Sequence, residues 1–251
     1  MKHYPFIIFY LFLNLFIYAF QGTIWVYIFC FVLFSAVVVW GSFDIQLGYF
    51  VNSFTHKRTE NKEVALTFDD GPTEFTPKFL DILKENNIKA TFFCIGKQIE
   101  KYPETFQRII EEGHTFGNHT YSHSNKTGFL STVKMIEEIE KCDEVIFKTG
   151  NIKTDLYRPP FGVTNPNIAK AIKKTQKKSI GWNVRSLDTV ITDEKKILRK
   201  VTKGLKKGSI ILLHDTSEKT YNVLVELLLF LEREKYSTFT VDSIFKSKNN
   251  V

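Results

Sequence analysis

Between Lys2 and Asp44 the sequence contains no Asp, Glu, Lys or Arg. Their absence excludes an ordinary surface helix, which needs a charged face toward water. Cysteine is scarce as well. Cys30, Cys94 and Cys142 are odd in number and lack metal-ligand spacing, so a disulfide framework and a cysteine-bound zinc module are both ruled out. They read as small buried hydrophobes. The chain has no internal repeat and no low-complexity tract, which argues against a repeat array or a disordered polymer. Aromatic residues are not interleaved with the basic ones. The densest cluster, Lys170, Lys173, Lys174, Lys177 and Lys178, therefore reads as a solvated helix surface and not as a nucleic-acid interface.

What fills the uncharged stretch is Phe, Ile, Leu, Val, Tyr, Trp and Ala, broken at Gln21-Gly22-Thr23. About 20 apolar residues cross the hydrocarbon core, so residues 5–40 are long for one span and tight for two. The polar break favours a transmembrane hairpin of 5–20 and 23–40. Lys2 could begin a signal peptide, but no small-x-small site comes after the first apolar block, so the segment is expected to stay as an anchor. The expected organisation is a transmembrane segment at 1–41, a polar irregular connector at 42–61, a catalytic domain at 62–246 and a tail at 247–251. Lys2 and Asp44 cancel, so the formal charge of +7 belongs to the chain beyond the apolar segment and would attract anionic lipid or polymer.

Beyond the connector, β-rich apolar runs at 63–68, 89–95, 114–118, 155–158, 178–184, 209–213 and 237–241 alternate with helical patterns. Thr76-Pro77 reads as an N-cap with Pro at the first helical position, and Asn165-Pro166 as another start. Further helices are expected at 102–112, at 131–147 with closure near Gly150, at 193–205 and at 221–234. Seven strands alternating with about six helices predict parallel βαβ units, hence an α/β sheet or barrel with its chemistry at the C-terminal strand ends.

Four of those ends are polar. The first strand runs into Thr67-Phe68-Asp69-Asp70-Gly71-Pro72, where adjacent carboxylates either share a cation or form a solvated turn. The third ends in His119-Thr120-Tyr121-Ser122-His123. On one helical turn these imidazoles would project to one side and suit a borderline metal completed by a carboxylate; the alternative is two surface histidines. The fourth ends in Arg158-Pro159-Pro160-Phe161-Gly162 and the sixth in Leu212-Leu213-His214-Asp215. Alone, each could be structural. Their joint occurrence at successive strand ends points to one site. His114, Trp182 and Cys94 read as structural, with Trp182 in the core or in a pocket wall.

These four motifs together resemble the polysaccharide deacetylases that carry the nodulation-protein-B homology domain, carbohydrate esterase family 4, over roughly residues 62–245. The resemblance implies a distorted (β/α)7 barrel preceded here by the transmembrane helical segment. It implies that Asp70, His119 and His123 hold one divalent ion, usually zinc, with cobalt, manganese or nickel as substitutes. Asp69 would be the general base and Arg158 its partner, holding it ionised and aimed. The backbone N–H of Phe161 would stabilise the oxyanion, and His214 would protonate the leaving amine. A fifth motif departs from the pattern in Gly181-Trp182-Asn183-Val184-Arg185-Ser186-Leu187-Asp188-Thr189. Asp188 matches the partner of the catalytic histidine, but Thr189 stands where a Trp would wall the acetyl pocket beside Leu212, and Arg185 where an acidic residue is frequent. A wider acyl pocket is expected.

The implied activity is metal-dependent hydrolysis of N-acetyl groups on an amino-sugar polymer or oligosaccharide such as peptidoglycan or chitin, with the glycan and the membrane as partners and no protein or nucleic-acid partner. The same machinery would serve an O-acetyl esterase or a deformylase acting on a sugar or lipid-linked saccharide. A non-catalytic membrane-tethered glycan-binding domain is the third reading. A hairpin puts both ends of the segment on one side, and Lys57, Arg58 and Lys62 would make that side cytoplasmic. One span with a re-entrant remainder would instead place the domain outside, where most amino-sugar polymers lie.

Overall fold

The computed structural model describes residues 2–246; the 247–251 tail lies outside the described residues. Two apolar helices come first, α1 (His3–Ala19) and α2 (Ile24–Phe43), joined at the expected polar break. Of the two, α2 is long and apolar enough to cross a membrane; α1 is shorter. The rest of the chain comprises β1 (Glu63–Asp69), α3 (Thr76–Glu85), β2 (Thr91–Cys94), α4 (Gly96–Lys101), α5 (Pro103–Glu111), β3 (Thr115–Asn118), α6 (Thr132–Gly150), β4 (Leu156–Tyr157), α7 (Pro166–Lys174), β5 (Lys178–Ser179), β6 (Val184–Arg185), α8 (Glu194–Gly204), β7 (Ser209–His214), α9 (Glu218–Arg233), β8 (Ser237–Thr238) and α10 (Ser243–Lys246).

The strands pair in parallel in the order β5-β4-β3-β2-β1-β7-β6, and β8 adds to the start of β1. This is a curled parallel α/β half-barrel, consistent with the parallel βαβ units expected from the alternation and with the distorted barrel that the resemblance implies. One expected element is different. The single strand at 178–184 is split, its two halves lying on opposite edges of the sheet. Between them, Ile180 N–H donates to Tyr157 O on β4 at 2.8 Å and Asn183 N–H donates to Ile210 O on β7 at 3.2 Å. One short segment thus bridges both edges and closes the barrel, a long-range requirement that a local apolar pattern does not carry.

Strand alternation sorts the core and aims the site. Val64, Leu66 and Phe68 on β1, Phe92 and Cys94 on β2, and Ile211 and Leu213 on β7 face the surrounding helices and pack with Phe79, Leu80 and Leu83 of α3. The opposite face carries Ala65, Phe93, Ile210 and Leu212 into the barrel interior with Trp182. Thr67 and Asp69 come after Ala65 on that inner face, and His214 after Leu212. Burying such Leu, Ile and Phe side chains is worth about 1.5–3 kcal/mol each, which fixes the register that presents the polar ends.

The stretch at 42–61 begins with the last two residues of α2, makes one 3-10 turn at Ile45–Leu47 and is otherwise largely irregular, but it is packed, not loose. Ile45 is buried in the interior cluster with Trp182 and Leu212. Tyr49, Phe50 and Val51 pack against Met135 and Ile139 of α6 and Ile168 of α7. Isolated bridges join Phe54 to Ile180 and His56 to Ser209. Helix boundaries shift by small amounts: α6 ends on Asn151 in the left-handed region, one residue past Gly150, and Thr76 is the first helical residue of α3 and not its cap.

Candidate active site

Asp69, Asp70, His119, His123, Phe161, Trp182, Arg185, Thr189, Leu212 and His214 line one cavity of about 230 Å³ at the C-terminal end of the barrel. Arg158 and Asp188 are buried just behind it. Every residue expected at the site is therefore brought together, with Arg185 added to the wall.

Arg158 is fully buried beneath Asp69. Its Nη1 donates to Asp69 Oδ1 at 2.6 Å and to Thr67 Oγ1 at 2.8 Å, Nη2 donates to Gly181 O at 3.0 Å and Nε to Ile180 O at 3.3 Å. The guanidinium also lies 4.0 Å above the Phe93 ring. A buried charge is tolerated only when paired and hydrogen-bonded throughout, and here the acceptors come from β1 and from the segment that closes the barrel. One oxygen of Asp69 is thereby fixed and the other left toward the cavity.

Asp70, His119 and His123 present ligand atoms all within 4.8 Å of one another. Asp70 Oδ1 is 3.4 Å from His119 Nε2 and 3.3 Å from His123 Nε2. It is buried without a hydrogen-bond partner among the described residues. His119 Nδ1 is 2.7 Å from Arg158 O. A carbonyl can only accept, so that nitrogen carries the proton and Nε2 is left with a lone pair for a cation. Burial, with His119 adding, lowers His123 to about 4 against the pull of Asp70 and Asp69, which keeps its ring neutral. Burial would raise Asp70, but His119, His123 and His214 together hold it well below the usual carboxylate range. Two imidazoles and one carboxylate around an orphaned buried oxygen fit a divalent ion with open positions.

The two histidines do not sit on a helical turn. Residues 119–123 form an irregular loop in which Thr120 (φ 67°) and His123 (φ 47°) occupy the left-handed region, and the imidazoles still converge, 4.7 Å between ring centroids. Asn118 Oδ1 accepts from Thr120 N at 2.8 Å and Thr120 Oγ1 from His123 N at 3.2 Å, which stabilises the turn. Asp70 (φ 73°), Phe161 (φ 60°) and Leu187 (φ 60°) share this conformation. Such residues cost of order 1–3 kcal/mol each and persist where surrounding contacts determine them. The ligands are also not on adjacent strands, because β2 runs between β1 and β3.

His214 Nδ1 is 2.8 Å from Asp188 Oδ1, and the His214 N–H donates to Asp188 Oδ2 at 2.8 Å. Ser186 Oγ and Thr220 Oγ1 donate to the same carboxylate at 2.8 and 3.0 Å. Burial acts to lower His214, but hydrogen bonding and charge from Asp188, with Asp69 and Asp70 adding, raise it to about 9. Asp188 moves the other way: burial would raise it and His214 lowers it. The pair is an imidazolium held by a carboxylate, its Nε2 toward the cavity and 3.9 Å from Asp70 Oδ2.

Motif reading missed Thr67, Ser186, Thr220 and Asp215. Asp215 is fully buried. Thr76 Oγ1 donates to its Oδ2, Thr73 Oγ1 donates to its backbone O at 2.5 Å, and Thr73 N donates to Thr76 Oγ1 at 2.7 Å. This network ties the loop after β1 to the end of β7. Gly71 is required there, because a Cβ would collide with the Asp215 carboxylate. The signal available in the sequence was an ionisable residue directly after His214, and threonines flanking the Asp-Asp turn.

Comparison with known proteins gives a consistent picture. The family described as polysaccharide deacetylase matches residues 56–180. The peptidoglycan-N-acetylglucosamine deacetylase PgdA of Listeria monocytogenes serotype 1/2a (strain 10403S) is 36% identical over 194 residues, which are 76% of this chain and 41% of that protein. This chain thus spans well under two thirds of that relative. The peptidoglycan-N-acetylmuramic acid deacetylase PdaA of Bacillus subtilis (strain 168) is 30% identical over 203 residues, covering 78% of this chain and 76% of the relative. A crystal structure of a peptidoglycan N-acetylglucosamine deacetylase in complex with a substituted benzamide superimposes with a TM-score of 0.73 at 33% identity, over 77% of this chain and 92% of that one.

Proposed function

Because this chain belongs to the polysaccharide deacetylase family, we propose that it hydrolyses the N-acetyl amide of an amino-sugar glycan of the peptidoglycan type, using a divalent ion and anchored to a membrane by α2. The observation that carries the reading is the meeting, in one cavity, of an Arg-held carboxylate, an imidazolium and an Asp-His-His cluster with an orphaned oxygen. A degenerate glycan-binding relative would have no use for that complete set. The relatives named for peptidoglycan support the wall glycan as substrate class.

Asp70, His119 and His123 would hold the ion, most simply zinc, whose role is to polarise the acetyl carbonyl and make a water more acidic. Asp69 accepts the proton of the attacking water at Oδ2, since Oδ1 is engaged by Arg158. The carbonyl oxygen becomes an oxyanion at the wall formed by Phe161, whose N–H is the donor there. An amide anion is too basic to leave, so His214 gives its Nε2 proton to the nitrogen as the C–N bond breaks, releasing acetate and the free amine. Asp188 keeps His214 charged for that step. Leu212, Trp182 and Thr189 bound the acetyl methyl. Acetate release from acetylated chitooligosaccharides and peptidoglycan, measured on the full chain with and without chelator, tests the proposal; no acetate from either substrate with metal supplied would rule it out.

A further inference from the structure

Beside the catalytic cavity lies a second, larger one of about 700 Å³, lined by Ser42, Phe43, Phe129, Phe161, Val163 and Arg185 among others. Phe161 and Arg185 line both, so the two adjoin across that wall. The outer groove is built partly from the end of the apolar helix: Phe43 is the last residue of α2. That helix end is fastened to the catalytic domain, because Thr164 N–H donates to Ser42 O at 2.9 Å and Ile45 is buried beside Trp182.

This placement governs what can reach the site. A helix of the 20 residues in α2, rising about 1.5 Å per residue, is about 30 Å long, the thickness of the hydrocarbon core. Spanning a bilayer, it puts Phe43, and hence the groove, at the lipid headgroup layer. The groove wall there is aromatic and open, Phe129 being 91% exposed, Phe43 mostly exposed and Phe161 about half exposed. Arg185 is exposed at the junction with the catalytic cavity, its guanidinium 5.8 Å from the centre of the Trp182 ring, and it forms no ion pair among the described residues. An apolar wall continuing a membrane helix, followed by a lone cation and then the acetyl pocket, matches a ligand with the same order of parts: lipid chain, anion, N-acetylated sugar.

We infer that the substrate is an N-acetylated saccharide carried on a membrane lipid through a phosphate, with the lipid along Phe43, Phe129 and Phe161, the phosphate at Arg185 and the lipid-proximal sugar in the catalytic cavity. The inference rests on the deacetylase reading of the cavity and on α2 as a membrane span. A free polymer has no lipid chain to occupy the apolar wall, whereas Arg185 taken alone would serve a glycan carboxylate as well as a lipid phosphate.

The full chain in phosphatidylcholine vesicles decides it. The probes are polyprenyl-phosphate-linked N-acetylglucosamine, the same sugar as its 1-phosphate, a polyprenyl glycoside without phosphate, and acetylated chitotetraose, with acetate release as the readout. The expected result is kcat/KM at least tenfold higher for the lipid phosphate than for the other three, with Phe43→Ala and Arg185→Gln each reducing that ratio several-fold. Leu229→Ala, an exposed apolar change on α9, should leave the ratio unaltered. Equal turnover of lipid-linked and free saccharides would overturn this inference while leaving deacetylation intact. Equal turnover of the 1-phosphate, or of the phosphate-free glycoside, overturns it by removing the need for lipid or for anion. No acetate from any probe overturns both readings.

Discussion

Asp69 and His214 are register partners on the neighbouring parallel strands β1 and β7. The proposed base and acid are therefore spaced by the sheet itself, each locked from behind by an opposite charge, Arg158 for Asp69 and Asp188 for His214. Neither belongs to the Asp70-His119-His123 cluster. Asp69→Asn and His214→Ala should each retain metal uptake while hydrolysis falls by about 10²-fold or more, of the order general acid–base catalysis contributes. His214→Ala should recover partly on substrates with better leaving groups. Equal slowing of activated and ordinary amides would remove His214 from the role of acid.

Arg158→Met tests the support of the base. It keeps the apolar volume near Phe93 but leaves the Asp69 carboxylate buried without its cation, which typically costs about 3–5 kcal/mol. Denaturant unfolding of the detergent-solubilised chain should show a loss of that size. The double variant Arg158→Met with Asp69→Asn should regain part of it, since no unpaired charge then remains. A double variant no more stable than the single one would mean that the Arg158 contacts to Thr67, Ile180 and Gly181 matter more than the ion pair.

His114 governs acid sensitivity away from the site. Its Nδ1 accepts the Ala90 N–H at 3.1 Å, and burial, with Lys89 adding, lowers it from 6.5 to about 4. The folded state therefore takes up this proton later than the unfolded chain does. The stabilisation is full above pH 6.5 and is lost as pH falls toward 4, about 3 kcal/mol over that window. His114→Gln, which keeps an acceptor, should flatten the dependence of unfolding free energy on pH between those limits, measured in chelator so that proton competition with a bound ion does not contribute. An unchanged slope would place the acid loss elsewhere.

Much of the architecture was legible because β1 and β7 are long, nearly continuous apolar runs that end in ionisable residues, so a local pattern and the chemistry coincide. Arg158 and Asp188 lie just past strands of only two residues, and their roles are legible only through the family resemblance. What was not legible depended on distant partners. The split of 178–184 arises because Ile180 and Asn183 bond to opposite edges of the sheet. The loop at 119–123 is irregular because Glu138, from α6, accepts from Ser122 N at 2.8 Å and Asn118 from Thr120 N. Asp215 carries no motif of its own, and its part emerges only when the turn after β1 folds back on β7. Helix α4 was hidden because it is one short segment ahead of Pro103, without an amphipathic stripe long enough to register.

Specificity is proposed to depend on Thr189. This residue is exposed at the cavity rim, with Leu212 and Trp182 in the same wall. Trp182 is itself confined by Gly162, where a Cβ would press on its ring, so it cannot swing to take the place of a missing aromatic. Thr189→Trp should narrow the pocket and lower the kcat/KM ratio of propionyl to acetyl glucosamine oligomers by about 1–3 kcal/mol, the worth of one methylene. An unchanged ratio would take Thr189 out of the acyl pocket.

The proposed amide hydrolysis rests, above all, on the ion that Asp70, His119 and His123 are proposed to hold. Zinc titration of the metal-stripped full chain, with acetate release measured in the same samples, tests that dependence most directly. Wild type should bind one ion per chain and gain activity in proportion to occupancy, whereas Asp70→Ala should lose both together. Acetate release that persists in the stripped protein, or an Asp70→Ala variant that fills with zinc as wild type does, would contradict the account.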